Sequence, residues 1–415
     1  MKRVIWLAII VALIGMLGLV AAQAGPLRAG AAAVDINVPE GAATCGYGDR
    51  AGIAYESIHD PIGAHALVLD DGNAKVAIVG VDVLGIGPEM RTAAVKGIAK
   101  TGIASDHLLL AATHTHSGPG HLYPVPALEM FFGKFRQDVL DAVTSAIVEA
   151  IVTADSRLEP AVIGAAEGTI KNACRNRRHD DGLIDETMSV IRVDAATGKP
   201  LAVVVNFAAH ATVIGGEPVL ISADFPRGVY DGVQRELGVP AIFFNGAQGD
   251  QSPGNPTQAT GDRYARAKAL GEALAAKALE IRSAIEPHAD VTVTTAYEDV
   301  ALPPATMPLM PKATGPYMSM AFDNALLVAV PGECISEIGR GVKDELRKSG
   351  KTPFFVGLAN DQLGYILTEA EYNYDFGPGK EKGGYERTIS LFGPKFGELT
   401  QSKLVELAEK ANNGA

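Results

Sequence analysis

Cysteine is scarce in this chain. Cys45, Cys174 and Cys334 are the three in 415 residues, widely spaced and with no Cys-x-x-Cys pair. That excludes a disulfide scaffold, while one bridge plus a free thiol, or three buried thiols, fit equally well. Aromatic residues are few, at 6%, and the single tryptophan, Trp6, lies near the N-terminus. Basic residues are outnumbered, 36 Lys and Arg against 48 Asp and Glu, for a formal charge of −12. Nucleic acids and anionic lipid head groups are therefore poor partners. There is no glycosylation sequon, because Asn255-Pro256-Thr257 is broken by its proline. Past the N-terminal stretch, no run approaches the ~18 apolar residues that span a bilayer.

What is present begins with that stretch. Lys2 and Arg3 precede an apolar segment from Ile5 to Val20, and Ala22-Gln23-Ala24 fits a small-x-small cleavage site. Residues 1–24 read as a signal peptide and 25–415 as the mature chain, secreted or periplasmic; an uncleaved anchor is the alternative. Loss of Lys2 and Arg3 takes the formal charge from −12 to −14.

Strand-like runs recur at 64–69, 75–83, 107–112, 162–166, 188–193, 202–207, 241–244, 291–295, 324–330 and 353–358. Ala202–Phe207 is apolar at nearly every position, as a strand covered on both faces would be. Helical spacing appears over 132–151, 226–237, 264–281, 333–348 and 395–410. The alternation predicts an α/β fold: a layered sandwich of mixed β-sheets flanked by helices, of α-β-β-α type, in a single large domain. Residues 302–317, with five prolines, read as a surface loop near a pocket.

The most informative motif is Thr113-His114-Thr115-His116-Ser117-Gly118-Pro119, directly after Leu108–Ala112. If the strand continues, residues two apart share a face. Two imidazoles there suit a divalent metal, or one ligand and one proton shuttle. The bland reading is a pair of loop histidines. Other strand ends also carry chemistry-bearing residues: His210 after Asn206-Phe207, Glu333 opening a helix after 324–330, and Tyr365 after 353–358. An α/β sheet assembles sites from such ends.

Together these segments resemble the neutral, non-lysosomal ceramidase family in its N-terminal catalytic domain. The resemblance rests on 113–120, on Asn206–His210, on Gly249-Asp250-Gln251-Ser252-Pro253, on Pro331-Gly332-Glu333 and on Tyr365-Ile366-Leu367-Thr368, in that order. Val34-Asp35-Ile36, Gly46-Tyr47-Gly48 and His59-Asp60-Pro61 extend it over roughly residues 29 to 400. It implies a Zn²⁺ ion held by His114, His210, Glu333 and Tyr365, with zinc-bound water attacking the N-acyl amide of ceramide or a related N-acyl lipid. It implies His116 as proton shuttle, an oxyanion donor from the segment 172–178 (Arg175, with Arg177 competing), Tyr385 as a second donor, and Ser252 as a substrate-contacting hydroxyl. Asn245, Asp250 and Asp224 would orient the ligands. His121 stands where the family has a small residue, so a change in the pocket floor is expected.

Two departures bear on substrate. The family's C-terminal immunoglobulin-like domain is expected to be absent, and Gly377–Gly384 forms a Gly/Lys-rich insertion. A zinc hydrolase of the same fold acting on a non-ceramide amide or ester is the alternative function, and an inactive secreted binding protein is third. The expected partner is an N-acyl lipid or other small amide, with transient contact at a membrane surface.

Overall fold

The structure, a computed structural model, describes residues 26–50, 52–306 and 312–414. Residues 1–24, read above as a signal peptide, lie outside the described residues. Eight strands form a mixed sheet: β1 (Arg28–Asp35), β2 (Gly63–Asp70), β3 (Lys75–Val81), β4 (Leu108–Ala112), β5 (Glu159–Thr169), β6 (Thr187–Ala195), β7 (Pro200–Phe207) and β8 (Ala241–Asn245). Their order is β8-β7-β6-β5-β1-β2-β3-β4, with β3/β4 and β7/β8 parallel. A second sheet stacks β9 (Thr294–Ala301), β10 (Thr314–Phe322), β11 (Ala325–Ala329) and β12 (Thr352–Val356) in that order, with β11/β12 parallel.

Strand alternation then builds four layers. In β8, Ala241 and Phe243 face helices α1 (Pro88–Gly97), α2 (Gln137–Ser156), α3 (Phe225–Leu237) and α4 (Arg263–Ser283). Ile242 and Phe244 face the second sheet, meeting Met318, Leu327 and Phe354. The outer side of that sheet, through Leu326, Val328 and Phe355, packs on α5 (Ser336–Arg347) and α6 (Phe396–Asn413). The expected α-β-β-α sandwich is what forms.

Two buried details fix close approaches, one within the large sheet and one between the sheets. Gly80 of β3 lies so close to β8 that a Cβ would come 2.7 Å from the Phe243 carbonyl oxygen. Asn206 bolts the sheets together: its amide donates to the carbonyls of Phe244 and Phe355 at 3.0 and 2.9 Å, and accepts from Phe355 N at 3.1 Å. It thereby satisfies a buried edge strand as a neighbouring backbone would.

The reading from sequence departs from this in places. β1, rich in alanine, carries weak strand propensity, and the short helix α1 has few apolar residues to mark a periodic face; neither is among the elements expected from sequence. The proline-dense loop ends earlier than expected, since β10 begins at Thr314. Pro316 is tolerated there because β11 covers β10 only from Met318 onward. Glu333 does not open a helix. It pairs in extended conformation with Tyr365, and α5 starts at Ser336.

Candidate functional site

The parallel strands β4, β7, β11 and β12 all point their C-terminal ends at one place. The loops that follow carry His114 and His116, His210, Glu333 and Tyr365 respectively. His114 does not continue the strand, because its φ is +64°. This left-handed turn is held from below. Thr113 Oγ1 donates to the fully buried Asp82 at 3.1 Å, and Tyr230 donates to the same oxygen at 2.9 Å. Asn245 ties the two histidine loops, donating to the carbonyls of Thr113 and Ala209 and accepting from Ala209 N.

Tautomers follow from the partners. His114 Nδ1 faces the Leu84 carbonyl at 2.6 Å and His210 Nδ1 faces that of Gln251 at 3.2 Å, so both Nδ1 atoms carry the hydrogen. Each bare Nε2 then lies 3.2 Å from the same atom, Glu333 Oε2, a buried oxygen that no donor hydrogen reaches. Lone pairs crowded this way repel unless a cation lies between them. Ligands about 2.0–2.1 Å from a tetrahedral zinc are roughly 3.3 Å apart, so the spacing fits. Tyr365 Oη is 3.4 Å from His210 Nε2, completing a set of nitrogen and oxygen donors. His116 Nε2 lies 3.1 Å from His114 Nε2, and the three imidazoles form a group able to hold a metal ion.

The site is poised for a cation. Burial, followed by the nearby Arg177 charge, holds His210 down to about 4, so its ring is neutral at pH 7. Burial and the two neighbouring imidazoles put His116 well below its ordinary value. Burial opposes ionisation of Glu333, but positive charge placed at the facing His114 and His210 side outweighs it and puts the carboxyl well below the usual range.

The two candidate arginines are placed differently. Arg175 lies on a short strand, Cys174–Asn176, where its neighbour Cys174 points inward and Arg175 is exposed. Arg177 is the one at the centre. Its Nη2 donates to Tyr365 Oη at 2.9 Å and to the Gly249 carbonyl at 2.8 Å, while Nε donates to Glu386 at 3.0 Å. Ser252 pairs across from Arg175 and lies outside the residues that line the cavity. Tyr385 is close, its ring 6.0 Å from that of Tyr365. Asp250 anchors the start of α5 through Ser336 and also binds Asn176. His121 is satisfied by Ala43 N and the Lys134 carbonyl, away from the cavity lining.

Three contributors escaped the sequence reading. Gln362 Nε2 donates to Glu333 Oε1 at 3.2 Å. Glu386 pairs with both Arg177 and Arg178. Arg50, almost fully buried, donates to the backbone carbonyls of His116 and Gly215. Position beside Tyr365 and Tyr385 was the one available signal for the first two.

The ligand cluster opens on a cavity of about 510 Å³ lined by His114, His116, Glu333 and Tyr365 at one part, and by Leu84, Tyr123, Leu128, Phe132, Ile389 and Leu391 elsewhere. It is mostly apolar with a few convergent polar groups, the usual make-up of a small-molecule site.

Asp224 supports the neighbouring loop, accepting from Ile214 N at 2.9 Å and from Phe225 N at 2.6 Å. Burial pushes its carboxyl up to about 7, against those hydrogen bonds. A raised folded-state value favours the protonated fold, so this stabilisation is complete below about pH 4 and lost as pH rises through 7. Asp224→Asn should therefore gain melting temperature relative to the parent between pH 5 and pH 8. Thermal melts at the two pH values check this, and a constant difference would refute it.

Fold and site together define a layered α/β protein with a buried histidine cluster able to bind a metal. Residues 28–229, just under half of the chain, match the model of the neutral/alkaline non-lysosomal ceramidase N-terminal domain, and this part of the chain resembles that family. Neutral ceramidase A of Dictyostelium discoideum is 30% identical over 190 residues, covering 40% of this chain and 26% of that protein. Neutral ceramidase of Pseudomonas aeruginosa is 31% identical over 165 residues, 36% and 24% of the two chains. The matched stretch thus spans about a quarter of these curated relatives. The crystal structure of neutral ceramidase from Pseudomonas aeruginosa shares the fold, with a TM-score of 0.79 over 94% of this chain and 75% of that one at 21% identity. A ceramidase complexed with C2 gives the same TM-score at 20% identity.

Proposed function

We propose that the chain is an exported zinc-dependent amidohydrolase that cleaves the N-acyl amide of ceramide or a related N-acyl lipid. The observation that carries this reading is the meeting of His114, His210 and Glu333 around one buried point, with bare lone pairs, beside an apolar cavity. His114, His210, Glu333 and Tyr365 would hold the metal. When bound, zinc supplies Lewis acidity that lowers the pKa of a water molecule to about 7. His116, neutral at rest, accepts a proton and returns it to the amine nitrogen as the C–N bond breaks. Tyr385, in the cavity lining, would face the oxygen on which charge develops, and Arg177 would add its positive charge from behind Tyr365. The products are a carboxylate and a free amine.

Support for the family comes from the matched model and relatives, and for ceramide from their names. Residues 25–415 would act as one catalytic domain, delivered outside the cytoplasm by residues 1–24. Among the described residues no helix is long and apolar enough to cross a membrane.

One observation supports a second reading. The cavity wall is mostly apolar, so the acyl chain of a non-ceramide N-acyl amide or ester would suit it as well as that of a ceramide. Metal analysis combined with fatty-acid release from a fluorescent N-acyl sphingosine separates the readings. About one zinc per chain and release that a chelator stops and zinc restores are expected. Zinc without release favours the second reading, and absence of zinc sinks both.

A further inference from the structure

The segment between β12 and Tyr365 is strained and pinned. Leu358 and Asn360 are non-glycine residues with φ of +55° and +64°, conformations that persist only where the surroundings enforce them. Asn360 bonds Leu110 twice, its N–H to the carbonyl at 2.7 Å and its Oδ1 from the Leu110 N–H at 3.1 Å. That fastens the segment to β4, the strand that leads to His114. Next along the chain, Asp361 accepts the Gln362 N–H at 2.7 Å, and Lys312 grips both of its carboxylate oxygens. The pair is largely buried, with side-chain exposures of 18% and 9%. Gln362 in turn donates to Glu333 Oε1, leaving Oε2 turned toward His114 and His210.

We propose that Lys312 is a positioning residue for the metal site, acting through Asp361 and Gln362 to fix which oxygen Glu333 presents to the two histidines. This rests on the metal reading above. A Glu carboxylate rotates readily about its last bond, and one fixed donor on Oε1 removes that freedom before the cation arrives. Gln362 can hold that donor in place only if its own backbone is held, and the Asp361 carboxylate does so. A buried carboxylate that loses its counter-ion either protonates or turns toward water. Lys312 opposes the burial that pushes this carboxyl's pKa up, and holds it in place from the far side.

The test uses the full mature chain and zinc alone, read by competition with a chromophoric chelator, with melting of the metal-free protein in parallel. Lys312→Met should weaken zinc binding about 10- to 100-fold, the usual effect of removing a partner behind a ligand. Lys312→Arg should retain most of the affinity. The double variant with Asp361→Asn should bind no more weakly than Asp361→Asn by itself, since the two act in series. Lys348→Met, at an exposed pair with Glu345, should leave affinity unchanged. Unaltered zinc affinity in Lys312→Met, with or without a lower melting temperature, overturns the proposal and leaves the metal reading standing. Failure of the parent chain to bind zinc overturns both.

Discussion

Replacing His114 by alanine is expected to empty the metal site and abolish hydrolysis together, whereas His116→Ala should keep the metal and lose turnover. The two residues are only two apart, yet their surroundings differ. His114 is anchored by Nδ1 to the Leu84 carbonyl, which points Nε2 at Glu333 Oε2. Its loss removes one of the few donors of a closed cluster, and the affinity of such a site falls with ligand count. His116 has no such anchor. Its Nδ1 is buried without a partner, and its ring rests edge-on against Tyr47 at 5.0 Å. Its Nε2 lies nearest His114 Nε2, at 3.1 Å, and no 3.2 Å approach to Glu333 Oε2 accompanies it. That arrangement suits a group that moves a proton, whose removal costs about 10²- to 10⁴-fold in rate. Metal content after dialysis and kcat, measured on both variants, separate the roles. If His116→Ala loses zinc as readily as His114→Ala, His116 is a ligand, and the grouping of all three imidazoles becomes the coordination set.

Much of this arrangement was legible in the sequence because long apolar strands announce themselves. Leu108–Ala112 and Ala202–Phe207 read as strands on composition alone, and the residues just beyond them are the histidines that meet. The route by which they meet was not legible. Strand alternation suggested that His114 and His116 share a face, but the left-handed turn at His114 sets its direction, and that turn depends on Asp82, Tyr230 and Asn245 from distant segments. Arg175 looked better placed than Arg177 because motif position carries no information about which face of a short strand is inward. Pairing with Gln251–Pro253 decides that, and it is a long-range contact. Gln362 was invisible for a similar reason, since a glutamine in a loop shows its function only once a carboxylate from 29 residues away is beside it. The alanine-rich β1 and the proline-bearing β10 were overlooked because tertiary pairing, not propensity, makes them strands.

Arg177→Met is expected to lower kcat by about 10²- to 10³-fold with KM little changed, while Arg175→Met should be silent. The magnitude is that of removing one preorganised donor from a developing oxyanion. Arg177 is preorganised in a specific sense: the Gly249 carbonyl, Tyr365 Oη and Glu386 hold three of its N–H groups within 2.8 to 3.0 Å. Its remaining nitrogen, Nη1, is 3.4 Å from His210 Nε2, at the edge of the ligand cluster. Burial opposes its charge, but the facing Tyr365 and Glu386 oxygens outweigh that and push its pKa further up, so it stays cationic throughout the working pH range. On the proposed function, a fixed positive charge near a reacting carbonyl would help the transition state more than the neutral ground state, which is why the loss should fall on kcat. Arg175 is exposed on the outer side of its strand, so its removal touches neither state. Steady-state kinetics on the two variants decide the matter. Equal losses would place the donor on the other face of the strand. A rise in KM alone for Arg177→Met would make that residue a binding contact instead.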